Sequence, residues 1–578
     1  MIGSRFLRTV ICCVLIVFPA AMAAADDVLK LVPDNALGVV VVNRVGETNE
    51  KLKALALRLK APPLDFLSTA KLTLGLQEGL DEKESVALAA VPSTPDGVPV
   101  TTVFLPTADY VAVLKRLKAD TGADGIANLS VGDREFVAAQ KGGYAVVTEA
   151  ANKATLQAVI AAAKSIADAA PGLDAWRGEN DAYAVATPGG IKFAQQQIQI
   201  GLEAAKTQMA NMGEQGKTAL ASLGMYDSLI NAMDKELGHL AVGLRMADDG
   251  AIHVVSRTLP VEGGTLARIA SQAKPAKDNP LAGLPQLPFF VAGGGSFTPA
   301  SMKSWMEMSF NMMRSYPGGD KLSDEHIKKL SEISLKSMQG LRSMALLMGV
   351  GEADEPLYAA MLLAMKTKDA KAYIENYEAT MGQMATVFKE ADSPLFAFQS
   401  ERMEIEGLPV VKLAMDMKPF MGQAQGPEAE KMLELMLGSG GKMNAYFAAA
   451  DKETVIGAYI SPKQLVSAVK AIRDNKPQLI DEDGVAKTAA MLPAGAQWVG
   501  FLSPRGGAAF VSRTLKAVAP PGASVPEIPE LPDTPPIGLG VALSPSGLDA
   551  HLAVPAAVLE AVSEVIRKAR AQGAKPDA

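Results

Sequence analysis

Two passages of this sequence follow one plan, and that repetition constrains the fold more than any other feature. The first runs Ala182-Tyr183-Ala184-Val185-Ala186, then Thr187-Pro188-Gly189-Gly190, then Ile191-Lys192-Phe193. The second runs Gln497-Trp498-Val499-Gly500-Phe501-Leu502, then Ser503-Pro504-Arg505-Gly506-Gly507, then Ala508-Ala509-Phe510. Each is an apolar strand, a Thr or Ser before Pro, a glycine pair and then a Phe. The flanks match too. Gly143 to Thr148 leads into a helix with Leu156 and Val159, as Gly457 to Pro462 leads into one with Leu465 and Val469. A hairpin from Leu240 to Val255, turning at Asp248-Asp249-Gly250, corresponds to one from Leu539 to Val554 turning at Pro545-Ser546-Gly547. The matches occur in the same order at a spacing of about 300 residues, which is the signature of domain duplication rather than of a short-repeat solenoid.

The expected organisation is therefore α+β in two homologous lobes, 26–274 and 287–578. Pro275, Pro280 and Pro285 mark a linker over 275–286, and a proline-rich insertion, expected to be extended and structureless, covers 520–536. Within each lobe the grammar is hairpin, then helix. Thr107, Thr298, Ser461 and Ser503 are expected to cap helix starts. Pro299, Pro462 and Pro504 follow the last three, where a missing amide costs nothing. Glycines at 142–143, 250 and 547 supply the positive φ of tight turns. Immediate hairpin returns imply a largely antiparallel sheet with helices packed on one face.

The N-terminus predicts export. Arg5 and Arg8 precede an apolar run from Thr9 to Phe18, and small-residue cleavage sites end at Ala23 and Ala25, defining a signal peptide over 1–25. A ten-residue helix rises only about 15 Å, too short to span a bilayer. Both cysteines, Cys12 and Cys13, lie inside that run, so the chain after cleavage has none and must be stabilised by packing rather than by disulfides. The formal charge of −7 carries no basic stripe, which excludes a general nucleic-acid binder. No later segment is apolar enough to cross a membrane. The expected location is periplasmic or extracellular.

Val32-Pro33-Asp34-Asn35-Ala36-Leu37-Gly38-Val39 opens the first lobe, and Leu287-Pro288-Phe289-Phe290-Val291 opens the second. In this the chain resembles secreted bacterial proteins of unknown function that begin with a Leu/Val-Pro-x-x-Ala strand and alternate hairpins with helices. The resemblance implies an α+β fold and assigns no functional residues.

With Asp249-Gly250 as a two-residue turn, His253 pairs with Met246, about 23 Å along the strand from His239 and on the opposite face, so the two share no metal. His551 falls on the polar face of its strand by parity, and His326 reads as a solvated helix turn. No His-Glu-x-x-His and no Gly-x-Ser-x-Gly occurs. Gly438-Ser439-Gly440-Gly441-Lys442 fails as a phosphate loop at Met436 and Met443. Asp481-Glu482-Asp483-Gly484 fails as a calcium loop, because Leu479 would stand at its first ligand position. Gly293-Gly294-Gly295-Ser296 is expected to join a strand to a helix at Thr298; its amides could hold an anion there, although close packing explains the glycines better.

Methionine is the one unusual component: 19 of the 27 fall between Met302 and Met443. Met302, Trp305, Met306 and Met313 follow the spacing of a buried helical stripe, or of a groove for an apolar ligand or partner helix. The expected function is an exported, non-enzymatic scaffold or binding protein of the cell envelope, needing no metal or cofactor. One alternative is a carrier or partner-binding module with a Met-rich apolar groove. Another is a hydrolase-type enzyme whose carboxylates meet only in three dimensions.

Overall fold

The computed structural model describes residues 28–74, 79–93, 98–122, 124–131, 133–210, 230, 233–276, 279–298, 302–303, 306, 309–310, 321–352, 355–392, 398–416, 433–438, 442–519 and 528–573. The signal segment thus lies outside the described residues, as do Trp305 and Met313. The chain divides into two compact units. One comprises Met1–Ile200, Ile230–Ala267 and Ser546–Ala550; the other comprises Gly201–Leu229, Arg268–Pro545 and His551–Ala578.

The first unit is organised around β1 (Gly38–Val42), a run of four valines after a glycine. Such β-branched residues suit a pleated, half-buried surface. It pairs antiparallel with β2 (Val86–Pro92) on one side and with β8 (Ala182–Ala186) on the other. Beyond β2 lies β3 (Pro99–Pro106), and beyond β8 lie β9 (Leu237–Met246) and β10 (Ile252–Pro260). The sheet continues past β3 through β7 (Tyr144–Glu149), β6 (Arg134–Lys141), β5 (Ala127–Val131) and β4 (Asp120–Thr121). The order is β4-β5-β6-β7-β3-β2-β1-β8-β9-β10, antiparallel throughout.

The second unit is centred on β11 (Phe289–Ser296), which pairs antiparallel with β12 (Leu341–Gly349) and β18 (Trp498–Leu502). On one side follow β13 (Met361–Thr367), β17 (Thr454–Tyr459), β16 (Lys442–Ala449), β15 (Leu408–Asp416) and β14 (Phe398–Ile405). On the other follow β19 (Ile537–Ser544) and β20 (Gly547–Val554), the first four residues of which fall in the first unit by contacts. The order is β14-β15-β16-β17-β13-β12-β11-β18-β19-β20. It is the order of the first unit, strand for strand.

Helices occupy the same gaps in both units. α1 (Val45–Arg58) and α2 (Phe66–Leu74) separate β1 from β2, and α3 (Tyr110–Arg116) follows β3. α4 (Lys153–Ala161) and α5 (Asp174–Gly178) precede β8, α6 (Pro188–Ala210) follows it, and α7 (Thr265–Gln272) follows β10. In the second unit α8 (Asp324–Ser337) precedes β12 and α9 (Ala370–Glu390) follows β13. α10 (Pro462–Arg473) and α11 (Asp483–Ala489) precede β18, α12 (Pro504–Val518) follows it, and α13 (Ala556–Gly573) follows β20.

Helices cover both sheet faces, not the single face expected from the hairpins. In the second unit, adjacent residues of one strand enter different cores. Ile456 packs with Leu362 and Leu465 on one side, while Val455 packs with Phe388, Met381 and Met384 on the other. In the first unit Val137 and Ala139 join the main core, and Ala138 joins Leu114 of α3 on the opposite face. The methionines go largely to the second face: Met365, Met381 and Met384 are all buried in its core.

The two glycine pairs resolve into one equivalent position each. Thr187 and Ser503 accept hydrogen bonds from the amides of Gly190 (3.2 Å) and Gly506 (3.1 Å), so each caps its helix onto the third residue after it. A Cβ on Gly190 would stand 1.7 Å from the Leu37 carbonyl oxygen, and one on Gly506 would stand 2.0 Å from that of Phe289. The helix start lies directly against the first strand, and only glycine fits there. Gly507, by contrast, faces open space.

Other sequence expectations need correction. Asp109, not Thr107, caps α3, accepting from Ala112 N at 2.9 Å, while the Thr107 hydroxyl donates to the Gly143 carbonyl. Ser461 precedes α10 without a side-chain cap bond. Gly293, Gly294 and Gly295 belong to β11 itself, where their amides serve the ladder rather than a helix start, so the anion reading of that segment fails. The segment 275–286 places Leu281 and Leu284 in the second core, fully buried.

Candidate functional site

The corner where β1, β8 and β9 end is filled in the first unit by hydrogen-bonded polar groups. The Asn43 amide donates to the Asp181 carbonyl (2.8 Å), and the Asp181 amide donates to that of Leu244 (2.9 Å). The side-chain Nδ2 of Asn43 donates to the carbonyls of Arg177 (3.0 Å) and Asn180 (2.6 Å), and its Oδ1 accepts from Ser85 (3.1 Å). Asp181 Oδ2 accepts from the Met246 amide at 2.7 Å. Burial pushes the Asp181 carboxyl up to about 7, against the pull of Lys51, Arg44 and Arg245. Asn43, Ser85 and Asp181 are thus each engaged in structural hydrogen bonds.

The same corner of the second unit is built on the same backbone bonds and is open. The Ser296 amide donates to the Gln497 carbonyl (2.9 Å), and the Gln497 amide donates to that of Val541 (2.9 Å). Gln497 Oε1 accepts from the Leu543 amide (2.7 Å), while Nε2 donates to the carbonyls of Lys274 (2.9 Å) and Leu543 (3.1 Å). Gly295 makes space for Trp498: a Cβ there would meet the indole at 2.1 Å.

Next to Gln497 lies a cavity of about 870 Å³. Its apolar wall includes Phe297, Met302, Leu335, Met338, Leu341 and Trp498. Its charged lining is Lys274, Lys303, Lys336, Arg342 and Lys368, with no carboxylate among the described lining residues. Arg342 is engaged by Glu453 at 2.8 Å. The volume lies within the range of small-molecule sites, and the mixture of apolar wall and few charged groups is characteristic of them. A larger hollow of about 1030 Å³ beside Arg513 and Lys516 also carries Glu355 and Glu434, so its charges oppose one another.

The sequence-derived candidates are distributed unevenly around this cavity. Met302, 6 % exposed, lines it. Met306 is half-buried and packs against the core below, and Trp305 and Met313 lie outside the described residues. Met338 and the basic residues were not singled out from the sequence. The basic residues come from several separate segments and share no motif.

The histidines need two corrections. The turn at Asp248-Asp249-Gly250 has three residues, with the Ala247 amide bonded to the Ala251 carbonyl and Gly250 at φ +85°. His253 therefore pairs with Arg245, not Met246, and shares a face with His239, about 20 Å away along the strand. His551 is buried, 7 % exposed, because its face of β20 packs inward with Ala553. His326 Nδ1 accepts from the Ser323 amide in a reciprocal helix cap. Among the described residues, no three His, Cys, Asp or Glu side chains converge to hold a metal ion, and no helix is long and apolar enough to cross a membrane.

The fold and this corner define an α+β chain of two units with one strand order, one of which carries a basic, part-apolar cavity. Compared with protein-family models, curated proteins and solved structures, the chain matches none.

Proposed function

We infer that this is an exported, non-enzymatic binding protein that arose by tandem duplication, and that its second unit holds the ligand. The observation that carries the binding role is the cavity beside Gln497, with Phe297, Met302 and Trp498 on its wall and lysines around it. Duplication is supported by the common strand order and by the Asp181 and Gln497 bonds, which recur at one position of the fold. A duplicated unit that keeps its backbone bonds while one copy opens a cavity fits a stable frame beside a ligand-holding copy. Export is supported by the basic and apolar N-terminal segment with its Ala23 and Ala25 cleavage sites, and by the absence of cysteine after it.

Native mass spectrometry of the protein, isolated from the cell exterior or periplasm without detergent, tests both parts. An N-terminus just after Ala23 or Ala25 and a non-covalent adduct lost on denaturation are expected. An intact leader on a protein retained in the cytoplasm would contradict export. A ligand-free mass, together with no binding of any amphiphile in titration, would contradict the binding role.

A further inference from the structure

We propose that the cavity of the second unit takes an amphipathic anion: an apolar chain along Phe297, Met302, Met338 and Trp498, and an anionic head group at the lysines. This rests on the binding role proposed above and specifies its ligand. The chain as a whole is acidic at −7, yet the lining of this cavity collects Lys274, Lys303, Lys336, Arg342 and Lys368 and no described carboxylate. Cations gathered over a low-dielectric wall focus a positive potential that neutral or cationic ligands do not exploit.

The head group is recognised as a charge rather than by shape. Arg342, the one planar fork among the described lining residues, is engaged by Glu453, and Lys303 also has a partner, which leaves the ammonium groups of Lys274, Lys336 and Lys368 to meet the ligand. Lysine acts as a point charge and does not distinguish a carboxylate from a phosphate by geometry. Gln497 is held by three bonds to Lys274, Leu543 and Leu543 again, so its amide is spent on the frame and does not select the head group. The apolar side cannot be met by a small inorganic anion, because Trp498 and Met302 offer such an ion nothing but desolvation.

Calorimetric titration of the purified protein with dodecanoate, dodecyl phosphate, dodecanol and acetate, each below its aggregation limit, tests this. Both anionic amphiphiles are expected to bind, with dodecanol weaker by about tenfold or more and acetate giving no heat, and added salt should weaken the anions alone. A variant carrying Lys274→Glu and Lys336→Glu should lose the anions by a similar factor and keep dodecanol, which also shows that it is folded. Dodecanol binding as tightly as dodecanoate would overturn the anion assignment while leaving a binding protein. Acetate binding as tightly as dodecanoate would overturn the apolar half. Binding of none would overturn the binding role itself. A preference between dodecanoate and dodecyl phosphate identifies the head group within the proposed class.

Discussion

Asp181 and Gln497 make the same bond in their respective units. Each donates its backbone amide to a carbonyl of the neighbouring strand and accepts, through its side chain, the amide two residues further on: Met246 for Asp181, Leu543 for Gln497. One side chain ionises and the other cannot. That difference makes the first unit sensitive to pH at a point where the second is not.

Burial raises Asp181 to about 7, against about 3.9 in an unfolded chain. Its contribution is therefore complete below pH 4 and is lost as pH rises toward 7, because the unfolded chain ionises first; the loss is at most roughly 4 kcal/mol. Asp181→Asn keeps an acceptor for Met246 and removes the titration. Denaturant midpoints measured from pH 4 to pH 8 should fall for the parent relative to the variant, since His253 titrates equally in both, and the variant should be the more stable at pH 8. Parallel profiles would contradict this.

His253 acts in the opposite direction. Burial, with the Arg245 charge beside it, lowers it to about 4, so its contribution is full above about pH 6.5 and declines as pH falls through 4. His253→Gln should lessen the acid loss between pH 6.5 and pH 4. An unchanged acid limb in the same denaturation series would show that this imidazole is not the cause.

Gly190→Ala and Gly506→Ala should each destabilise by about 2 kcal/mol or more, since the new methyl meets backbone that cannot turn aside. Gly507→Ala and Gly382→Ala are the controls. Neither added methyl meets an atom within 4 Å, and both sit in helices, where the change from glycine should gain up to about 1 kcal/mol. Thermal melts of the four variants check the contrast. Equal effects at positions 506 and 507 would rule out the close approach.

Asp109 and Asp369 cap α3 and α9 by the same geometry, each accepting from the amide three residues on at 2.9 Å. Replacing either by Ala should cost about 1 kcal/mol, and replacement by Asn much less. Urea unfolding resolves a difference of that size.

Much of the fold was legible because it is written in local chemistry. Strand β8 and its Thr-Pro-Gly-Gly turn, and β18 with Ser-Pro-Arg-Gly-Gly, could be aligned by eye, since a cap and a forbidden Cβ restrict residue choice strongly. The turn at Asp248-Asp249-Gly250 could not be placed to the residue. One added position moves His253 from Met246 to Arg245 and changes its face, because side chains alternate along a strand. Helix cover on the second sheet face was missed for a related reason: Val455 and Ile456 are both apolar, and a continuous apolar run does not say what covers each side. The cavity was the least legible part. Met302 was visible as part of a helical stripe, but Lys274, Lys336 and Lys368 are ordinary surface lysines until folding gathers them around Trp498.

The most direct measurement is a crystal structure of the protein grown with a dodecanoate that carries bromine at the end of its chain, with the bromine located by anomalous scattering. Bromine beside Phe297, Met302 and Trp498, with the carboxylate at the lysines, is the expected result. Bromine elsewhere on the protein, or a cavity filled by the protein's own side chains, would contradict it.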